Sequence, residues 1–275
     1  MNLDTIRVVQ CPASADEITA WHNGSVWLAG GTWLFSEPQP ELDTLIDVEQ
    51  FGWPALEISA DGLTIAATCR ISALYRFTGP SQWTALPLLR QCCNSFLASF
   101  KIWNAATVGG NLCMSLPAGP MISLTAALEG ICTLWPRNAP PREVPVVDFV
   151  TGNHRNVLQP GELLRSIHLS ATALARRSAF RHCSLTKLGR SAALLIGTSG
   201  AAGDLLLTIT ASTDRPVQLR FPHLPSATEL GDAIETQIPP ERWFDDVHGS
   251  AAYKRHVTRY FSEQIRAELA ERGSV

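Results

Sequence analysis

Two pairs of adjacent glycines constrain the fold of this chain more than any other feature. The first ends the stretch Trp27-Leu28-Ala29-Gly30-Gly31-Thr32, in which a short apolar strand predicted over 25–29 runs directly into the glycines. The second lies in Thr107-Val108-Gly109-Gly110-Asn111, predicted as a loop that follows a helix. Because glycine has no Cβ and tolerates a positive φ, each pair permits a sharp turn that brings backbone close to a neighbour.

Such turns can aim successive backbone N–H groups at one point. A concave set of amides binds an anion without any side-chain charge, and Thr32, Thr107 and Asn111 add neutral donors beside it. Two sets on opposite sides of a ligand suit a diphosphate better than one set. The sequence therefore predicts that both glycine pairs close on a single diphosphate, although either pair alone is typical of a plain turn.

Other cofactor and metal motifs are missing from the sequence. It contains no GxGxxG after a strand and no GxxxxGK[ST], so the usual dinucleotide fingerprint and the P-loop are not predicted. The seven cysteines form no CxxC and the seven histidines no HxH or HxxxH. Neither an iron–sulfur cluster nor another metal site is therefore expected within this chain.

Composition and charge indicate which binding partners and which cellular compartment to expect. The net charge is −3, and lysines and arginines are scattered, so binding to nucleic acid is not expected. The basic group Lys254-Arg255-His256 is predicted to be a solvated helix face. No apolar run is long enough to span a membrane, and the odd, irregularly spaced cysteines favour a reducing compartment. The prediction is a soluble cytoplasmic protein without a membrane partner.

The 18 prolines and 19 glycines interrupt the apolar runs often, which favours more than one lobe. We predict a first domain over 1–172, with subdomains of about 1–55 and 56–172, and a second domain over 173–275. Within the first domain, periodicity predicts one helix over 82–100, and a hairpin turning at Asp61-Gly62. A proline-rich turn is predicted over 136–145, and a long helix from Ser250 ends the chain.

With these features the chain resembles the FAD-binding, medium subunit of the xanthine dehydrogenase and carbon monoxide dehydrogenase family of molybdenum hydroxylases. Its first glycine loop is of the family's AGG-T/S type and its second is of the T-[IV]-G-G-N type. Further segments match in the family's order over nearly the whole chain. These are Leu45 to Val48, Leu63 to Ala67, Phe149 to Gly152, Pro160 to Leu164, Lys187 to Ala192 and Ser250 to His256.

The resemblance implies the fold class, which is α+β. A two-subdomain FAD-binding (PCMH-like) domain would be followed by a C-terminal α/β domain of the carbon monoxide dehydrogenase flavoprotein type. It implies noncovalent FAD in this chain. Molybdopterin would sit on a large partner subunit and two-iron two-sulfur clusters on a small one.

The resemblance also implies which residues bind FAD, with no catalytic acid or base assigned. The pyrophosphate would lie between the two glycine loops, with Leu163 and Leu164 near the flavin ring and Lys187 at its edge. The predicted cofactor-binding residues are Leu28, Ala29, Gly30, Gly31, Thr32, Trp33, Thr107, Gly109, Gly110, Asn111, Leu164 and Lys187.

Three positions depart from the family pattern and keep two alternatives open. Pro120 stands where an FAD-contacting Asp is usual, Trp103 where an Arg is common before the second loop, and Ser191 where a second Arg is common. One alternative is a scaffold or assembly subunit that kept the fold but lost FAD. The other is a stand-alone flavin oxidase, whose tethering His or Cys would belong near the first loop, whereas His22 precedes the strand.

Overall fold

The computed structural model describes residues 4–18, 20–186 and 189–271. The chain begins with a parallel sheet in the spatial order β1-β3-β2. Its strands are β1 Val8–Gln10, β2 Ser25–Leu28 and β3 Thr44–Asp47. A 3-10 turn at Ala15–Glu17 precedes β2, and another at Glu49–Phe51 follows β3. Because β2 is parallel to β3, both strands end at the same edge of the sheet, and β2 leads there into the first glycine pair.

An antiparallel sheet of five strands follows, in the order β4-β5-β10-β6-β7. Its strands are β4 Leu56–Ser59, β5 Gly62–Ala66, β6 Ile131–Trp135, β7 Arg142–Pro145 and β10 Leu163–Ser170, and β8 Val150–Gly152 pairs separately with β9 Arg155–Asn156. The hairpin at Asp61-Gly62 is confirmed. The proline-rich turn predicted over 136–145 is wrong at its end, since β7 lies there as an edge strand, where proline is tolerated.

Short helices cover this second sheet. They are α1 Ile71–Arg76, α2 Pro87–Ser95, α3 Phe100–Trp103, α4 Val108–Met114, α5 Pro120–Ala127, α6 Val146–Phe149 and α7 Ala171–Leu174. The single helix predicted over 82–100 is wrong, because α2 ends at Ser95. Phe100, the last residue of that predicted helix, instead begins α3 and is 73% exposed.

The last part of the chain is an antiparallel sheet in the order β11-β12-β13-β14, covered by helices. Its elements are β11 Arg177–Ser184, β12 Ser191–Ser199, β13 Leu205–Thr210, β14 Val217–Phe221, α8 Ala227–Gln237, a 3-10 turn at Pro240–Arg242 and α9 Ala251–Glu271. The predicted long C-terminal helix is confirmed by α9. One sheet face packs on α8 and α9, which bury Leu195, Leu207 and Ile209.

The opposite face of this sheet joins the core of the preceding part, where Leu194 and Ile196 pack in the same cluster as Met121. The hydrophobic core thus continues across residue 172, and the domain boundary placed there stays a prediction. The expectation for the basic group at 254–256 is wrong for Lys254, which is fully buried. Within the described ranges, no helix combines the length and the apolar character needed to cross a bilayer.

Candidate functional site

A cavity of about 740 Å³ lies where the C-terminal end of β2 meets the N-terminal ends of α4 and β10. Its volume falls within the range of roughly 300–1,000 Å³ that is usual for cofactor pockets. The cavity is lined by Leu28, Ala29, Gly30, Gly31, Thr32, Trp33, Thr107, Gly109, Gly110, Asn111 and Leu164 among others. The structure therefore brings every described residue of the predicted set to one cavity. Lys187 lies outside the described residues.

The first glycine loop offers unused backbone donors to this cavity. Gly31 has a φ of 64°, and the chain turns there away from the direction of β2. In the described part of the chain, the N–H groups of Gly30, Gly31, Thr32 and Trp33 donate to no acceptor. Buried or half-buried amides are normally paired, so four successive unpaired N–H groups on a cavity wall form a strong candidate anion site.

The second glycine pair differs from its prediction, because Gly109 and Gly110 belong to the first turn of α4 and neither has a positive φ. Thr107 is the N-cap, and its hydroxyl oxygen accepts a hydrogen bond from the Gly110 N–H at 3.0 Å. The Val108 and Gly109 N–H groups donate to Cys69 O and Ala67 O. The prediction of a second set of free amides is therefore wrong, since the chain already uses them.

Close packing explains three of the four glycines. A Cβ on Gly30 would overlap the carbonyl oxygen of Ala105, and one on Gly109 would overlap Ala67. A Cβ on Gly31 would come within 2.5 Å of the Phe35 ring, in addition to the strain of its positive φ. The contact between Gly30 and Ala105 also holds the first loop against the segment that leads into α4, which explains why both glycine pairs reach one cavity.

Gly110 is the exception. A Cβ there would meet only the Thr107 hydroxyl, at 3.0 Å, and would otherwise project into open space. Glycine in a helix costs about 0.5–1 kcal/mol relative to alanine, and the packing of this chain does not require it at this position. The space above Gly110 is therefore available to a ligand that approaches the backbone closely.

Asn111 provides a further donor at the same wall. Its Oδ1 accepts a hydrogen bond from the Met121 N–H at 3.0 Å, which fixes the orientation of the amide. The Nδ2 group has no acceptor within the described residues. Pro120 begins α5 and also lines the cavity. Proline has no N–H group, so it contributes no donor to the cavity.

Aromatic side chains line the cavity beside the glycine loop. Trp27 donates its indole N–H to the carbonyl oxygen of Glu162 at 3.2 Å, and its ring lies 5.0 Å from that of Trp21. Trp33 lies 5.6 Å from the His154 ring. Trp103 is not part of the cavity wall. It packs edge-on against Tyr75 and donates to Phe96 O, so it is a structural residue.

The cavity wall carries little net charge. Among the described lining residues, only Glu162 and Arg190 are charged. Both oxygens of Glu162 accept hydrogen bonds from Arg142 at 2.7 Å, so this carboxylate is neutralised. Arg190 has no ion-pair partner in the described chain. The described wall therefore has one uncompensated charge, which is positive and favours an anionic ligand.

Glu162 makes the cavity wall sensitive to acid. Burial raises the pKa of this carboxyl, but the hydrogen bonds from Arg142 and from the Gln159 N–H outweigh burial and hold the pKa below its ordinary value. A depressed carboxyl pKa stabilises the fold above the unfolded-state value of about 4.3, and this stabilisation is lost as the pH falls through the folded-state pKa. We expect Glu162→Gln to cost about 2 kcal/mol at pH 7.

The measurement is thermal unfolding from pH 7 to pH 3. The unfolding temperature of the parent chain should fall more steeply below about pH 4.5 than that of Glu162→Gln. Parallel curves for the two proteins would show that the Glu162–Arg142 pair does not set the acid sensitivity.

Sequence reasoning missed several contacts that shape this wall. Arg142 and Glu162 lie 20 residues apart, in a stretch predicted partly as a turn. Trp21 and Gly161 meet only in the folded chain, where a Cβ on Gly161 would lie 3.1 Å from the indole. The signal that could have found Gly161 is its place in the Pro160-Gly161-Glu162 turn, where it adopts a φ of 78°.

The fold and the cavity define the class of this protein, which is a mixed α and β protein with a pocket suited to an anionic cofactor. Residues 4–171 match the family described as the FAD binding domain in molybdopterin dehydrogenase. This match covers more than half of the chain, so the chain belongs to that family and its cofactor is FAD. The resemblance inferred from the sequence motifs is confirmed.

Solved structures with the same fold support the predicted fold class. Quinoline 2-oxidoreductase from Pseudomonas putida 86 superposes with a TM-score of 0.81 at 19% identity, over 100% of both chains. Carbon monoxide dehydrogenase from Hydrogenophaga pseudoflava, in a form lacking the Mo-pyranopterin moiety, gives 0.78 at 19% identity, over 94% of this chain and 96% of that chain. Reconstituted CO dehydrogenase from Oligotropha carboxidovorans gives 0.78 at 19% identity, over 95% and 98%. A comparison with curated proteins gave no match.

Proposed function

We propose that FAD binds noncovalently in the cavity between the first glycine loop and α4, with its diphosphate on the N–H groups of Gly30 to Trp33. The observation that carries this proposal is that these four successive amides lack acceptors and open on the same cavity as the vacant space at Gly110. Unpaired amides can bind a diphosphate because no existing hydrogen bond has to break first.

Residues at the start of α4 complete the proposed diphosphate site. The Nδ2 group of Asn111 donates from the side of α4, and the absence of a side chain at Gly110 lets the diphosphate approach the helix backbone. The positive N-terminal end of α4 favours an anion there, although its first amides are already bonded. Thr107 acts through Gly110, because its hydroxyl caps the helix and fixes the first turn.

The flavin ring would lie against Leu163 and Leu164, which are buried on the cavity wall at 6% and 1% exposure. Bound flavin supplies reversible transfer of one or two electrons. The leucines would exclude water from the ring and orient it. Lys187 is proposed at the ring edge on the strength of the family resemblance alone.

A covalent flavin is not favoured by the wall of this cavity. Among its described residues Cys113 is the only cysteine or histidine, and burial raises the pKa of that thiol to about 12. A thiol with such a pKa is a poor nucleophile at neutral pH. His22 lies before β2 and is engaged with Asp43 at 2.6 Å. The tethered oxidase is therefore the weaker alternative.

We propose further that the chain is the electron-relaying subunit of a molybdenum hydroxylase. It would receive electrons from two-iron two-sulfur clusters on a small partner subunit, which in turn serve a large molybdopterin-binding subunit. Electrons would leave through FAD to NAD or another acceptor. This division of labour is supported by the family of the chain and by its lack of cysteine motifs for a cluster.

The visible spectrum of the purified chain tests the proposal directly. We expect the absorption of oxidised flavin at ~375 and ~450 nm, with all of the colour released into solution by acid or heat. Colour that stays in the precipitate would favour the tethered oxidase. A folded but colourless protein that takes up no added FAD would favour the scaffold alternative. Co-purification with a large and a small chain tests the proposed partners.

A further inference from the structure

A β-bulge in β10 determines which side chain of that strand faces the core and the cavity. The pairing of β10 with β6 shifts between Leu164 and Ser166, so Arg165 is the extra residue. Leu164 and Ile167 are three residues apart and would point to opposite faces of a regular strand. Both nevertheless belong to the same buried cluster. The bulge therefore directs Leu164 to the cavity side, and a strand without it would turn Leu164 away.

The Arg165 side chain is held outside the core between two aromatic rings. Its guanidinium carbon lies 4.2 Å from the ring centre of Trp53 and 5.6 Å from that of Trp135, and the two indoles meet edge to face at 5.6 Å. Cation–π contacts of this kind stabilise a partly desolvated guanidinium. The Nη1 group is nevertheless buried without a hydrogen-bond partner. Such a group costs stability, so fold stability alone does not explain why an arginine occupies this position.

The backbone of Arg165 is connected to α4 through one intermediate residue. Its carbonyl oxygen accepts a hydrogen bond from the Ala67 N–H at 3.0 Å, and the Ala67 carbonyl oxygen accepts one from the Gly109 N–H at 2.9 Å. Ala67 itself lines the cavity. The position of the bulge therefore affects both Leu164 and the first turn of α4, and both of these line the cavity.

We propose that Arg165, clamped between Trp53 and Trp135, is a positioning residue that sets the spacing between Leu164 and the N-terminus of α4 for the bound cofactor. The inference rests on the proposed FAD site, because it assigns the clamp a role in shaping that site. It also makes a separate statement about the chain without cofactor, namely that the clamp holds the first turn of α4 in place.

The test compares Arg165→Ala and Arg165→Lys with the parent chain. We expect Arg165→Ala to bind FAD about tenfold more weakly in a titration of apoprotein followed by flavin fluorescence, since a binding wall displaced by about 1 Å loses much of its complementarity. Arg165→Lys retains a cation over the indoles and should stay within about threefold of the parent. The control is Arg220→Ala, which removes an exposed arginine paired with Glu129 on the surface of the C-terminal sheet.

Hydrogen exchange in the apoprotein supplies a second readout that does not depend on FAD. Exchange at the Gly109 and Gly110 amides should become faster in Arg165→Ala and remain at the parent rate in Arg220→Ala. Parent-like exchange together with parent-like FAD affinity in Arg165→Ala would overturn the inference while leaving the FAD site intact. A parent chain that takes up no FAD would refute the proposed function, and the exchange rates would then still decide whether Arg165 positions α4.

Discussion

Replacing Gly110 by Asp is expected to abolish flavin binding while leaving the fold at least as stable as before. Gly110 is the third residue of α4, where a carboxylate interacts favourably with the helix N-terminus. The same carboxylate would occupy the open space above the helix and place a negative charge against the diphosphate. Two like charges about 4 Å apart near a protein surface repel by about 4 kcal/mol. We therefore expect the dissociation constant for FAD to rise at least about 100-fold.

The matched control is Gly231→Asp. Gly231 also lies inside a helix, α8, and an added Cβ there would meet nothing within 4 Å. Both variants should melt close to the parent chain, and only Gly110→Asp should be purified without colour. Full flavin content in Gly110→Asp would show that the diphosphate does not approach α4. Equal loss of flavin in both variants would point to a general effect of the added charge.

The first glycine loop was predictable because its signals are local. A short apolar strand followed by two glycines indicates a strand that ends in a turn, and β2 with Gly31 at positive φ has this form. The second glycine pair was misassigned as a loop because glycine disfavours helices. Tertiary hydrogen bonds from the Val108 and Gly109 N–H groups to the carbonyl oxygens of Cys69 and Ala67, which follow β5, outweigh that preference, and the sequence does not reveal these bonds.

The helix predicted over 82–100 failed for a related reason. Its apolar spacing is helical up to Cys93, but the chain ends α2 at Ser95 and then runs along the cavity wall through Phe96 and Leu97. Apolar side chains that face a ligand cavity resemble those that face a core. Periodicity alone therefore could not distinguish a continuing helix from a cavity-lining segment.

The contacts that shape the site across the chain were beyond sequence reasoning. The Glu162–Arg142 pair and the clamp of Arg165 between Trp53 and Trp135 join residues that are distant in the sequence. Their geometry depends on strand order and on a bulge. Neither of these is encoded in a short motif. The family resemblance supplied the overall fold, but its motifs carried no information about how these side chains contact one another.

The second large expected effect concerns Lys254, which lies in α9 and is fully buried. Its Nζ group donates to Asp246 Oδ1 at 2.8 Å and lies 5.1 Å from the centre of the Phe244 ring. The Asp246 side chain remains 25% exposed, whereas that of Lys254 is 0% exposed. The two partners therefore differ in their access to water. A lone Asp246 can be rehydrated, but a lone Lys254 would be left as a buried unpaired cation.

This difference in exposure predicts which substitution lowers the free energy of unfolding more. Asp246→Ala should lower the free energy of unfolding by about 4 kcal/mol, since removing one partner of a buried pair leaves an uncompensated charge. Lys254→Met keeps an apolar stem in the same space and should cost less than about 2 kcal/mol, because an apolar replacement of similar volume avoids that charge. Urea unfolding of both variants measures the difference. Equal costs would contradict this account, because they would indicate that Lys254 reaches water when its partner is removed.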